Sequence, residues 1–284
     1  MTEQIRFTKM HGCGNDYLYV NCMEHELSDP AGASIRMSPR HFSVGSDGII
    51  LICASDIADA KMRIFNADGS EGKMCGNGIR CVGKYLYDNG IVDKLHVDVE
   101  TLSGIKKLQL FPGSDGKIEI VKVDMGKASL EPEALPVKWD GPMIKGTVTV
   151  QGKPYQLTAV SMGNPHAVCF VDEVKSLKLE EFGPDFEHLS IFPEQVNTEF
   201  VRVVDDHTLE MRVWERGSAE TYACGTGACA SVVAAAVNGY VARDTEVTVK
   251  LIGGDLKIMY CSDGTVFMTG SAEKVYDGVY DYEY

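Results

Sequence analysis

The feature that most constrains this chain is that it matches itself. A shift of 149 positions lays Cys224-Gly225-Thr226-Gly227 on Cys75-Gly76-Asn77-Gly78, with no gap needed. The same shift lays Met211-Arg212-Val213-Trp214 on Met62-Arg63-Ile64-Phe65, Glu220 on Glu71, Gly163-Asn164 on Gly14-Asn15 and Asn238-Gly239 on Asn89-Gly90. Register kept over such a span points to one structural unit used twice. The expected fold therefore has two pseudo-symmetric halves.

Each copy runs from strand-like segments into a Gly-led helix. Lys61 to Phe65 and Glu210 to Trp214 alternate or are β-branched, as strands are. After a turn rich in Gly, Ser, Asp and Thr come Gly76 to Asn89 and Gly225 to Asn238, with helical apolar spacing. Gly90 and Gly239 follow them, suited to the left-handed position that stops a helix. Ala228, Ala230, Val232, Val233, Ala234, Ala235 and Val237 make the second helix apolar almost all round, so it should be buried.

Further short strands are predicted at 49–53, 97–101, 106–110, 118–123, 147–150, 199–204, 246–251 and 266–269, separated by turn signals such as Ser114-Asp115-Gly116 and Asp263-Gly264. The class is α+β, each half a strand-rich, barrel-like layer around a central helix. Pro, Glu and Gly collect over 125–136 and mark the boundary, giving halves at 1–124 and 125–271.

The formal net charge of −14 disfavours nucleic acid and anionic lipid, and no Lys/Arg cluster reverses it locally. Met1 to Val20 holds no apolar run long enough for a signal peptide, and no stretch approaches the roughly 20 apolar residues of a membrane span. A cytoplasmic protein without membrane or nucleic-acid partners is expected. Nine cysteines, an odd number, fit reduced thiols better than a disulfide framework.

Most buried cysteines are simply core, and Cys13, Cys22, Cys53, Cys81, Cys169, Cys229 and Cys261 are read that way. Cys75 and Cys224 differ because each occupies the matched position of a repeat, directly before a Gly-x-Gly that opens a helix. The positive end of the helix dipole should lower a thiol pKa there, and the N–H groups of the first turn can hold an anion. Zinc is disfavoured: the close Cys/His pairs, Cys22 with His25 and His166 with Cys169, are not CxxC and find no matching second pair. The Gly-x-Gly segments also lack the frame or lysine of a nucleotide loop.

Taken together, Met10-His11-Gly12, Gly14-Asn15-Asp16, Asn66-Ala67-Asp68-Gly69-Ser70-Glu71, Met74-Cys75-Gly76-Asn77-Gly78 and Arg80-Cys81 resemble the diaminopimelate epimerase family. So do Gly163-Asn164-Pro165-His166, Asn197 before Glu199-Phe200, Glu215-Arg216-Gly217 and Ala223-Cys224-Gly225-Thr226-Gly227-Ala228, so the match spans the chain. The resemblance implies cofactor-independent, metal-free conversion of LL- to meso-diaminopimelate, serving lysine and peptidoglycan precursor biosynthesis. It also implies that 272–284 joins the first half.

Inverting an α-carbon needs a base on one face and an acid on the other. By resemblance, Cys224 removes the proton of the LL-isomer and Cys75 delivers one from the opposite face. Helix N-terminal N–H groups at Gly76, Asn77, Gly225 and Thr226 would grip the α-carboxylate and stabilise the carbanion. His166 and Glu215 would tune the thiols and bind the α-ammonium, while Asn15, Asn66, Asn164, Asn197 and Arg216 would read the distal end. Tyr276 resembles a residue at the family's dimer interface, implying a homodimer.

Two departures stand out: Gly48 occupies a position where Gln is common, removing a side-chain contact, and Ala219 replaces a common Gly, stiffening its loop. The rivals are a proline-type racemase, a phenazine-type isomerase, and a non-catalytic metal-binding or redox-sensing thiol protein. Relatives of the first two kinds usually carry His after the first Cys-Gly or replace a cysteine by a carboxylate, whereas Asn77 and both cysteines stand here.

Overall fold

A computed structural model of the chain describes residues 2–283. They form two compact units, one running to Val123 and taking up the C-terminal segment from Gly270, the other comprising Asp124–Thr269.

In the first unit the strands Thr2–Gly12, Asn15–Cys22, Gly48–Cys53, Ala60–Asn66, His96–Thr101 and Gly104–Pro112 form one mixed sheet. The strand that begins at Ile118 extends it at one side and Glu273–Glu283 pairs with Thr2–Gly12 at the other. Two parallel neighbours, Asn15–Cys22 with Gly48–Cys53 and Ala60–Asn66 with His96–Thr101, interrupt an otherwise antiparallel ladder. The second unit repeats this order with Gly146–Val150, Lys153–Ser161, Pro165–Phe170, Asn197–Asp205, Thr208–Glu215, Glu246–Leu251 and Gly254–Tyr260, and the strand beginning at Thr265 closes the series.

The repeat extends to strand register. Leu18 pairs with Ile49 as Ala167 pairs with Thr198, and Ile49 with Phe65 as Thr198 with Trp214. Beyond the central helix one residue has been inserted: His96 faces Gln109, whereas Glu246 faces Met259. The 149-residue offset thus holds to the helix end and becomes 150 after it.

Among the described residues, four α-helices complete the units: α1 (Pro30–Met37), α2 (Gly76–Asp88), α3 (Leu179–Glu187) and α4 (Gly225–Val237). α4 packs against Lys153–Ser161, Pro165–Phe170, Asn197–Asp205, Thr208–Glu215, Glu246–Leu251 and Gly254–Tyr260 of its unit. Residues Gly227 to Ala235 are all buried, as an all-apolar helix requires. In α2, Ile79, Val82 and Leu86 face the sheet, and the missing side chain of Gly83 admits Leu108 and Leu110. Gly90 and Gly239 adopt φ +70 and +79 just past these helices, the left-handed stop expected of them.

The other two helices cover the outer faces. α1 closes a core of Ile5, Leu18, Val20, Ile49, Leu51 and Phe65, while α3 covers one around Phe186, Phe200 and Trp214. The α+β class, a sheet layer around a central helix in each of two similar halves, is the architecture observed.

Candidate active site

The two cysteines are the N-cap residues of α2 and α4. Cys75 (φ −132, ψ 117) and Cys224 (φ −112, ψ 109) have extended backbones, and each sulfur accepts the N–H of the third helical residue, Gly78 at 3.3 Å and Gly227 at 3.4 Å. A side-chain acceptor at this position satisfies a donor for which the helix itself has no acceptor. Both third positions are closely packed by a strand side chain. A Cβ at Gly78 would lie 2.6 Å from Ile50 Cδ1, and at Gly227 2.6 Å from Glu199 Oε1.

Around Cys75 the polar partners present an acceptor. The thiol donates to Asn15 Oδ1 at 3.2 Å. Asn15 is oriented by its own Nδ2, which donates to Asp47 Oδ2 at 2.7 Å. Asp47 also accepts the Asp16 N–H and is paired with Arg40, which bridges it to Asp16. Burial, and then the charge of Asp16, push the Asp47 carboxyl up, while Arg40 and Asn15 oppose the rise. Asn15 therefore turns its oxygen to the sulfur and accepts the thiol hydrogen.

Around Cys224 the arrangement is different. Thr226 Oγ1 lies 3.5 Å from the sulfur and receives Asn164 Nδ2 at 3.3 Å. Asn164 Oδ1 is 3.1 Å from His166 Nε2, and His166 Nδ1 is 2.7 Å from Glu199 Oε1. The helix-start position was expected to lower both thiol pKa values. At Cys224 the structure contradicts this: burial, then the charge of Glu215, push the thiol well up, and the bonds from Thr226 and Gly227 only oppose the rise. With 6% exposure, Cys224 is too desolvated for one helix start to win.

Gly76, Asn77 and Gly225 are buried in the first turns of α2 and α4, where Arg80, itself fully buried, donates to Gly76 O. Asn66 donates to Ser70, and Glu215 accepts the Thr221 hydroxyl. Asn197 is engaged by backbone at both ends of its amide, donating to Pro165 O and accepting Arg216 N–H, so it braces the 215–217 loop. The Arg216 side chain is exposed and reaches Glu194 O. Tyr276 lies on Glu273–Glu283, edge-on to Phe7 and 41% exposed.

Both departures noted in the sequence have backbone causes. Gly48 pairs with Asn66 at φ +152, where a Cβ would lie 2.1 Å from Phe65 O. Ala219 sits at φ +58, a left-handed conformation that suits Gly. Its loop is therefore strained as well as stiffened. Asp47 and Glu199, which hold Asn15 and His166, were not singled out in the sequence. The available signal for Glu199 was that its repeat counterpart is Ile50, a carboxylate against an apolar core residue. Among the described residues, no group of three or more His, Cys, Asp or Glu is placed to hold a metal, and no helix is long and apolar enough to cross a membrane.

Solved structures share this fold. A phenazine biosynthesis protein of the PhzF family from Bacillus anthracis superposes with a TM-score of 0.72 at 17% identity, covering 99% of this chain and 100% of its own. A hydroxyproline epimerase from Agrobacterium vitis gives 0.70 at 15%, covering 98% and 91%. These likenesses define the fold. Sequence comparison then separates its branches. The family model for diaminopimelate epimerase matches residues 7–131 and 158–275. Diaminopimelate epimerases of Acetivibrio thermocellus and Agathobacter rectalis are 53% and 52% identical, each over 98% of this chain and 99% of theirs. The chain belongs to the diaminopimelate epimerase family and is an isomerase of the epimerase type.

Proposed function

We propose that the chain interconverts LL- and meso-diaminopimelate with Cys75 and Cys224 as a divided acid and base, without cofactor or metal. The observation that carries this reading is that matched N-cap cysteines in two repeats have opposite neighbours, an acceptor at Cys75 and a hydroxyl able to donate at Cys224. In the LL-to-meso direction the Cys224 thiolate removes the α-hydrogen and becomes a thiol. The Cys75 thiol gives its proton to the other face and becomes the thiolate, so charge is conserved. The reverse reaction exchanges the roles.

The planar carbanion needs stabilisation, which falls to the N–H groups of Gly76, Asn77, Gly225 and Thr226 against the α-carboxylate. Glu215 takes the α-ammonium and, with His166, tunes the thiols. Asn15, Asn66, Asn164 and Arg216 bind the rest of the diamino diacid, and Asn197 acts by holding the Arg216 loop. The enzyme works in the cytoplasm, in lysine and peptidoglycan precursor synthesis, as a homodimer formed through the strand bearing Tyr276.

Incubation of the reduced, purified protein with LL-diaminopimelate and no added cofactor tests this. Accumulation of the meso-isomer is expected. Unchanged substrate would overturn the assignment.

A further inference from the structure

Beneath Cys224 lie two side chains that the exchange of protons does not itself use. His166 and Glu199 are both 0% exposed and meet through Nδ1 and Oε1 at 2.7 Å. Glu199 Oε2 is buried and, among the described residues, has no hydrogen-bond partner. An ionised carboxylate here would leave a charged oxygen bare in the interior, whereas the neutral acid leaves only a carbonyl-like one. Burial accordingly pushes the Glu199 carboxyl up, against the opposing pull of His166.

With the acid neutral, its proton is donated from Oε1 to His166 Nδ1, and the imidazole carries its hydrogen on Nε2. From there every donor points one way. Nε2–H reaches Asn164 Oδ1 at 3.1 Å and Asn164 Nδ2 reaches Thr226 Oγ1 at 3.3 Å. The Thr226 hydroxyl, having accepted, has its own hydrogen left for the sulfur at 3.5 Å. The first repeat lacks this device: Tyr17 and Ile50 stand at the positions of His166 and Glu199. The glycine contacts mark the equivalence, since the third helical glycine abuts Ile50 in one unit and Glu199 in the other.

We propose that Glu199 is a positioning residue for Cys224: as the neutral acid it fixes His166 in the Nε2–H form and so aims the Asn164–Thr226 chain as donors at the sulfur. The proposal rests on the acid/base reading of Cys224 and adds a cause for the asymmetry between the two thiols. It makes the hydroxyl of Thr226 the group that greets a thiolate at Cys224.

The test compares Glu199→Gln with Glu199→Ile, the latter copying Ile50. Gln has an amide N–H that can donate to Nδ1 as the acid does, so Glu199→Gln should keep the Nε2–H form of His166 in 15N NMR and a kcat within about twofold of wild type. Glu199→Ile should yield a mixture of His166 tautomers and a kcat lower by about 10–100-fold, with KM little changed. A wild-type tautomer or wild-type kcat in Glu199→Ile would overturn the proposal. So would a Glu199→Gln protein as slow as Glu199→Ile, because an ionised carboxylate would then be the working form. If Glu199→Ile does not fold, Glu199→Gln decides alone: retention of both readouts supports the proposal and loss of either refutes it. The NMR readout needs no substrate, so failure of the wild type to act on diaminopimelate is separable from failure of this inference.

Discussion

The third glycine of each central helix offers a matched pair of perturbations with different expected costs. Gly78→Ala and Gly227→Ala add the same methyl at the same place in two copies of one unit, each 2.6 Å from its nearest neighbour atom. At Gly78 that atom is Ile50 Cδ1, the free end of an aliphatic chain that can rotate away. Relief costs about 1 kcal/mol of repacking, and the gain of about 1 kcal/mol from replacing Gly by Ala inside a helix offsets it. At Gly227 the atom is Glu199 Oε1, tied to His166 at 2.7 Å in a fully buried pair. Moving it adds the loss of a buried hydrogen bond, about 1–3 kcal/mol, to overpacking of about 1–3 kcal/mol, so after the helix gain a net cost of about 3 kcal/mol remains. Thermal melts followed by circular dichroism should find Gly78→Ala near wild type and Gly227→Ala several degrees lower. Equal melting temperatures for the two variants would refute the claim that the His166–Glu199 pair is rigid.

Cys75→Ala and Cys224→Ala should each abolish epimerisation while the far-ultraviolet spectrum is kept, since each removes one proton carrier and little volume; near-native turnover in either variant would remove that cysteine from the mechanism. Asp16 sets a pH dependence. Burial alone would raise its carboxyl, but Arg40 at 2.7 Å and Lys9 at 2.9 Å outweigh burial and hold it below the usual range. A lowered folded pKa means the contribution is complete above the unfolded value of about 3.9 and lost as pH falls through the folded one. The stability gap between wild type and Asp16→Asn should therefore be constant near neutrality and shrink below about pH 4, and a gap unchanged in acid would contradict the ion-pair account. Ala219→Gly should relieve the left-handed strain at φ +58 and raise stability by about 0.5 kcal/mol, read from the melting temperature; a lower melting temperature would refute the strain.

Much of the architecture was legible because the sequence states it twice. The repeat, the two central helices with their glycine stops and the cysteines at their starts depend on local chemistry that each copy spells out. The outer helices were not legible. α1 is eight residues with Gly32 and Ser34 inside it, and α3 carries Gly183 and Pro184, which its pattern alone argues against. Gly183 is there because a Cβ would lie 2.3 Å from the Trp214 ring, a tertiary fact. The strands Asn15–Cys22 and Pro165–Phe170 were missed for a related reason: they are nearly continuously buried, so period-two alternation is absent.

At the site, the residue types were readable but their partners were not. Asn15 and Asn164 coincide under the repeat, yet one is turned by Asp47 and the other by His166, so one presents an acceptor to its cysteine and the other feeds a donor chain. Nothing local in Asn197-Thr198-Glu199 says that Glu199 lies under a helix start. The direction of the Cys224 shift was misread because a helix N-terminus is visible in sequence and the depth of burial is not.

The division of acid and base between two cysteines is tested most directly by hydrogen isotopes. In heavy water, a thiol equilibrated with solvent delivers deuterium to the face opposite the one deprotonated. Early in the reaction, meso-diaminopimelate formed from the LL-isomer should carry deuterium at the inverted carbon, while unreacted LL-substrate stays largely protiated. Mass spectrometry of the separated isomers at low conversion reads both pools. Early meso-product that keeps the substrate's own α-hydrogen would mean a single base serving both faces, and would contradict the assignment of Cys75 and Cys224.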